Sequence, residues 1–144
     1  MEQSVVVRPG TPADLTAVAD VQAQAPEAAG WRVEDYLTHQ LDVAEMAGKV
    51  VGFLVTRRLV AGEAEVLNLA IAPAYRRQGI ARTLLAAAFE RWPGSWFLEV
   101  RASNQTAQGC YQQLGFRNVG IRPGYYRTED GKSAEEGIVM GKGK

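Results

Sequence analysis

Ala72-Pro73-Ala74-Tyr75-Arg76-Arg77-Gln78-Gly79-Ile80-Ala81-Arg82 is the stretch on which the reading of this 144-residue chain turns. The alternating run Glu63–Ile71 stops at Pro73, which cannot continue a strand ladder. A basic loop follows, and Ile80, Leu84, Leu85, Ala88, Phe89 and Trp92 then recur at helical spacing up to the Pro93-Gly94 stop. The motif is therefore strand, basic loop, helix start. A helix start offers unpaired N–H groups and a partial positive charge, and so attracts anions. Small residues at Gly79 and Ala81 leave room for a phosphate, and Arg77 or Arg82 can add charge. Two readings stand at this level: a phosphate cradle, or a solvated basic loop ahead of an ordinary glycine cap.

Working outward, Ser4–Arg8 predicts a first strand, and Thr11-Pro12-Ala13-Asp14 opens a helix running to about Gln24. Pro26 to Gly30 break it, and Trp31–Gln40 predicts a second short helix with Trp31, Tyr36 and Leu37 turned inward. Leu41–Met46, Val50–Leu59 and Glu63–Ile71 predict three strands joined by short glycine-containing links, as in antiparallel hairpins. After the Gly79–Trp92 helix come a strand at Trp96–Val100 and a helix at Asn104–Leu114 closed by Gly115. Phe116–Arg122 and Gly137–Gly141 predict two last strands around a polar excursion. This order predicts one mixed sheet flanked by helices, an α+β domain of three layers spanning residues 1–144.

Composition narrows the function. Hydrophobic residues make up 47% and charged residues 22%, ordinary for a globular protein. The formal net charge is zero, which disfavours a nucleic-acid or membrane-surface binder. That zero conceals a net −5 over residues 1–72 and a net +5 over residues 73–144. The lone Cys110 excludes an internal disulfide, and Met1–Arg8 shows neither a basic leader nor an apolar core. No apolar run is long enough to span a bilayer. A cytoplasmic location is expected. With His39 alone, no metal site is expected either. Gly131-Lys132-Ser133 has the end of a P-loop but Tyr126 where that motif needs glycine.

Glu99 interrupts the otherwise apolar strand Trp96-Phe97-Leu98-Glu99-Val100. Alternation places it on the face of Phe97 and Arg101. A carboxylate there is either paired, with Arg101 the nearest cation, or serves as a general base. Tyr111 shares a helix face with Ala107, Cys110 and Leu114, which by pattern makes it a core tyrosine and Cys110 a small buried hydrophobe. Asn104 is well suited to cap that helix.

Arg76-Arg77-Gln78-Gly79-Ile80-Ala81 resembles the acetyl-CoA signature of the GNAT superfamily: Gln or Arg, two residues, Gly, one residue, Gly or Ala. Leu98-Glu99-Val100-Arg101-Ala102-Ser103-Asn104, with Ala107, Tyr111, Leu114-Gly115-Phe116 and Tyr125-Tyr126, resembles the RimI type, the ribosomal-protein-alanine N-acetyltransferases. Departures from the RimI-type pattern are Gly30 before Trp31 and a longer stretch from Gly131 to Gly137.

The resemblance implies a mainly antiparallel sheet of about seven strands that splays after the fourth. It implies acetyl-CoA as co-substrate and a protein N-terminus, that of a ribosomal protein beginning with alanine, as acceptor. Other N-termini, lysine side chains and small amines are the alternative. Backbone groups of Leu69, Ala70 and Ile71 would hold the acetyl and pantetheine portion. Arg77, Gln78, Gly79, Ile80, Ala81 and Arg82 would hold the pyrophosphate, and Asn104 the cofactor's amide arm. Glu99 would accept a proton and Tyr111 would donate one.

Overall fold

The computed structural model describes residues 4–25, 31–60, 62–127 and 134–143. Seven strands form one sheet in the order β1-β2-β3-β4-β5-β7-β6. They are β1 (Val6–Pro9), β2 (Gln40–Met46), β3 (Lys49–Arg58), β4 (Glu63–Ile71), β5 (Ser95–Arg101), β6 (Arg117–Arg127) and β7 (Ala134–Lys142). Every neighbouring pair is antiparallel except β4 and β5. The three α-helices are α1 (Leu15–Ala23), α2 (Ile80–Arg91) and α3 (Gln105–Gln113). The expected mixed, mainly antiparallel sheet is present.

Two apolar clusters give the layers. One joins α2 to the sheet through Ile80, Leu84, Leu85 and Ala88 against Ala44, Leu54, Val66, Trp96 and Leu98, with Ala107, Tyr111 and Leu114 of α3 packed at its margin. The other sets Val18 and Val21 of α1 against Tyr36, Val43, Phe53, Val55 and Ala70. Helices thus cover both faces, as their apolar stripes require.

The N-terminal helix begins as a 3₁₀ turn, Pro12–Asp14, before α1. Asp14 accepts from the Thr11 N–H and hydroxyl and from both terminal nitrogens of Arg8. The second predicted helix is a 3₁₀ segment, Val33–Thr38. Tyr36 alone of its three expected inward residues is buried, while Trp31 and Leu37 are exposed. A 3₁₀ turn repeats every three residues, so Tyr36 and Leu37 cannot share a narrow buried stripe. His39 follows that segment and is half-buried. The break at Pro26–Gly30 and the Gly131–Ser133 motif lie outside the described residues.

The sheet is continuous at its two ends and open in the middle. β4 and β5 pair only over Glu63–Glu65 and Ser95–Phe97. Their start is pinned by the Ser95 N–H donating to the Gly62 carbonyl at 3.2 Å. A Cβ at Gly94 would collide with that carbonyl, so the Pro93-Gly94 turn needs its glycine. In the pairing of β3 with β4, Thr56 lies opposite Val66 and Val55 opposite Asn68. Leu67 is the extra residue of a β-bulge. A bulge bends its strand and sharpens the twist, and beyond it β4 turns away from β5.

Candidate active site

The bulge also resets which side chains face which layer. Ala64 and Val66 join the α2 cluster, and beyond Leu67 it is Leu69 and Ile71 that pack there. Leu67 and Ala70 join the α1 cluster, and Asn68 reaches Tyr36 on the same side. The unpaired stretch of β4 therefore turns backbone groups of Leu69 and Ile71 to the split between the strands, while those of Ala70, in step with the Ala72 N–H that donates to the Val51 carbonyl, belong to the β3 ladder. Two of these groups already have partners. The Leu69 N–H donates to its neighbour's Asn68 Oδ1 at 3.0 Å. Arg76 Nε donates to the Ile71 carbonyl at 3.1 Å, tying the basic loop to the end of β4.

Below the split, the chain after β4 makes a 3₁₀ turn at Pro73–Tyr75 and swings into α2. Arg77 has φ 63° and Gly79 φ 79°, both left-handed. Glycine adopts that conformation without penalty, and open space surrounds the position its side chain would take. No side chain caps α2. Its opening N–H groups, at Ile80, Ala81 and Arg82, precede the first intrahelical donor, Thr83, whose N–H reaches the Gly79 carbonyl at 3.0 Å. These amides, flanked by the exposed Arg77 and Arg82, match a phosphate-bearing group in charge and donor chemistry. Arg82 also acts electrostatically on Cys110, which brings the start of α2 close to α3. Cys110 is exposed rather than buried, because α3 turns Ala107, Tyr111 and Leu114 toward the sheet.

Glu99 lies just past the last β4–β5 pair. Continuing that register would set it level with Leu67, the bulged residue. Leu98 and Val100 are buried on the α2 side, so Glu99 projects to the α1 side. Its side chain is 19% exposed and pairs with Arg122 Nε of β6 at 3.3 Å. The pairing with Arg101 suggested by proximity in sequence does not form; Arg101 bonds Glu135 at 2.9 Å. Strand order decides this, since β7 intervenes between β5 and β6 and carries Glu135 to Arg101.

Tyr111 lies on the opposite, α2 side, its ring edge-on to Phe116 at 5.6 Å. Burial raises its pKa well above the usual tyrosine value, so the hydroxyl keeps its proton. Asn104 caps α3 by accepting the Ala107 N–H at 3.1 Å. The sheet thus has the Glu99 carboxylate on its α1 face and the protonated Tyr111 phenol on its α2 face, the face on which α2 begins. Arg122 and Asn68 were not singled out from sequence. The only signal for Asn68 is a polar residue inside the apolar run Leu67-Asn68-Leu69-Ala70.

The model of the acetyltransferase (GNAT) family matches residues 14–116. The [ribosomal protein bS18]-alanine N-acetyltransferase of Escherichia coli strain K12 is 40% identical over 111 residues, covering 74% of this chain and 71% of its own length. The crystal structure of the ribosomal-protein-S18-alanine N-acetyltransferase from Escherichia coli superposes with a TM-score of 0.79 at 28% identity, covering 97% of this chain and 94% of that one. A GNAT family acetyltransferase from Elizabethkingia anophelis, solved with acetyl-CoA bound, shares the fold at TM-score 0.76 and 21% identity over 97% and 98% of the two chains. A sheet split at a β4 bulge, an uncapped helix start below it and these similarities converge: this chain belongs to the acetyltransferase (GNAT) family and is an N-acetyltransferase.

Proposed function

We propose that the protein transfers the acetyl group of acetyl-CoA to the α-amine of a protein beginning with alanine, a ribosomal protein, without a covalent acyl-enzyme. The observation that carries the chemistry is the split itself, with Glu99 on the α1 face and Tyr111 on the α2 face. The acceptor class follows from the 40% identity to an enzyme named for alanine of ribosomal protein bS18. A cytoplasmic setting, where such a substrate is made, fits the lone and exposed Cys110.

Acetyl-CoA would lie on the α2 face. The amides of Arg77, Gln78, Gly79, Ile80, Ala81 and Arg82 would hold its pyrophosphate, Asn104 its amide arm, and the β4 backbone at Leu69 and Ile71 its pantetheine and acetyl end. When bound it supplies an activated acyl group. An α-ammonium of pKa about 8 must first lose a proton, and Glu99, directly or through water, accepts it. The amine then forms a C–N bond at the thioester carbon. A β4 amide stabilises the charge growing on the carbonyl oxygen. As the C–S bond breaks, the sulfur's electron pair takes a proton from the Tyr111 hydroxyl, which is protonated at neutral pH, and the second proton leaving the acylated nitrogen restores that hydroxyl. The products are an N-acetylated terminus and CoA.

The test is incubation of the protein with acetyl-CoA and peptides starting with Ala, Ser or Met, plus an N-blocked lysine peptide, with product mass and CoA release as readouts. Acetylation of the Ala peptide at its α-amine is the expected result. Product only at lysine or only on small amines overturns the acceptor assignment.

A further inference from the structure

A chain of side-chain hydrogen bonds, exposed at its Trp31 end and buried at the link between Tyr36 and Asn68, runs from the α1-side layer to the β4 amide facing the split. Gln22 Nε2 of α1 donates to the Trp31 carbonyl at 2.8 Å. Gln22 Oε1 accepts from the Tyr36 hydroxyl and from Asn68 Nδ2, the latter at 3.3 Å. Asn68 Nδ2 also donates to the Tyr36 oxygen at 2.9 Å. With its nitrogen so engaged, the Asn68 carboxamide has only its oxygen left to turn toward the Leu69 N–H, which it meets at 3.0 Å. Tyr36 is fully buried and Asn68 is 6% exposed. Polar groups buried this deeply hold a single arrangement only while all their partners are present.

We infer that Asn68 is a positioning residue for acetyl transfer, held by Tyr36 and Gln22 so that its amide oxygen orients the Leu69 N–H within the split. This rests on the reading that the β4 amides receive the thioester carbonyl. Three features carry it. The Leu69 N–H lies in the stretch of β4 that β5 leaves unpaired. The bulge at Leu67 puts the Asn68 side chain on the α1 face rather than among the apolar residues facing α2. The other end of the chain reaches the Trp31 carbonyl through Gln22 of α1, the helix that covers the face to which Glu99 projects. Asn68 therefore joins the layer that would receive the acceptor to the strand that would receive the acyl group. Its oxygen holds the amide in the absence of an acyl group and yields it to the thioester carbonyl, one hydrogen bond exchanged for another and no covalent bond changed.

The experiment compares wild type, Asn68→Ala, Tyr36→Phe and the double variant. Its readouts are kcat, KM for acetyl-CoA, calorimetric affinity for acetyl-CoA and for CoA, and melting temperature. CoA carries no acyl carbonyl and so reports the pyrophosphate and pantetheine contacts without it. Asn68→Ala is expected to lower kcat by roughly tenfold or more, to lower the ratio of acetyl-CoA to CoA affinity, and to leave CoA affinity within about twofold of wild type. Tyr36→Phe keeps the Asn68 oxygen but loosens it, so a smaller fall in kcat is expected, and the double variant should be no worse than Asn68→Ala. Unchanged kcat in folded Asn68→Ala overturns the inference, as does a loss explained wholly by CoA affinity. Should Asn68→Ala fail to fold, Tyr36→Phe with wild-type kcat and an unchanged affinity ratio overturns it. If wild type acetylates no amine, the proposed function fails, and the affinity ratio still decides the role of Asn68.

Discussion

Glu99 and Tyr111 divide the acid–base work by the faces of the sheet they occupy. Glu99→Gln should lower kcat at neutral pH by about a hundredfold or more, with a near-wild-type KM for acetyl-CoA, since Glu99 lies on the face opposite the uncapped helix start. A steady-state assay over a pH series checks this, and full activity at every pH would remove Glu99 from the mechanism. Tyr111→Phe should lower kcat through loss of the proton donor. Because burial raises the Tyr111 pKa, the neutral hydroxyl contributes fully to stability below the unfolded tyrosine value of about 10. That contribution is lost only as pH rises above it. Thermal melts of wild type and Tyr111→Phe should therefore differ in their dependence on pH above about pH 10. Asp14 has the opposite sign. The Arg8 guanidinium, bonded to it at 2.8 and 2.9 Å, holds its carboxyl well below the usual carboxylate range. The resulting stabilisation is present above pH 4 and lost as acid protonates the carboxylate. Asp14→Asn should lower stability by about 2 kcal/mol at neutral pH, measured by urea unfolding, with the difference shrinking below about pH 4.

At the scale of elements, the start of α2 is the part whose sequence speaks most directly. Gly79 at φ 79° sits where a β-branched residue is strained by roughly 1–2 kcal/mol. Gly79→Val should raise KM for acetyl-CoA by about tenfold or more while circular dichroism stays unchanged; an unaltered KM would place the pyrophosphate elsewhere. The second predicted helix shows the converse. Its ten-residue span was drawn from apolar positions, yet it shortened to the 3₁₀ segment Val33–Thr38, because Gln40 joins β2 and Trp31 and Leu37 find no core to enter. On α3 the pattern and the packing agree for Ala107, Tyr111 and Leu114. They part at Cys110, which is exposed because a helix of nine residues buries only a narrow stripe against the sheet edge.

For the whole molecule, one buried ion pair fastens the α2 layer to the N-terminal half of the sheet. Asp42 of β2 has a side chain 1% exposed and is held bidentate by Arg91 of α2 at 3.0 and 3.1 Å. Arg91→Met leaves that carboxylate buried without its cation and should destabilise the fold by about 2 kcal/mol, below the range for wholly buried pairs because Arg91 is partly exposed. Adding Asp42→Asn should recover part of the loss in a chemical-denaturation series. The same pair joins the acidic first half of the chain to the basic second half, whereas Arg57 with Glu65 at 2.7 Å lies within the first half and Arg101 with Glu135 at 2.9 Å within the second. The exposed Arg77 and Arg82 remain at the mouth of α2 as the basic excess that a phosphate would meet.

By itself the sequence determined the strand and helix order, the basic loop into α2, the Asn104 cap and the inward face of Tyr111. Each depends on residues within one or two turns or on a two-residue alternation, and short-range periodicity carries that information. The tertiary structure alone decided that the extra residue of the β4 bulge is Leu67, that Glu99 meets Arg122 rather than Arg101, and that Asn68 is gripped from the α1 side. Those outcomes rest on which strand lies next to which, and on partners 23 to 46 residues away. A local pattern carries no record of such neighbours, because they are chosen by packing both faces of the sheet at once.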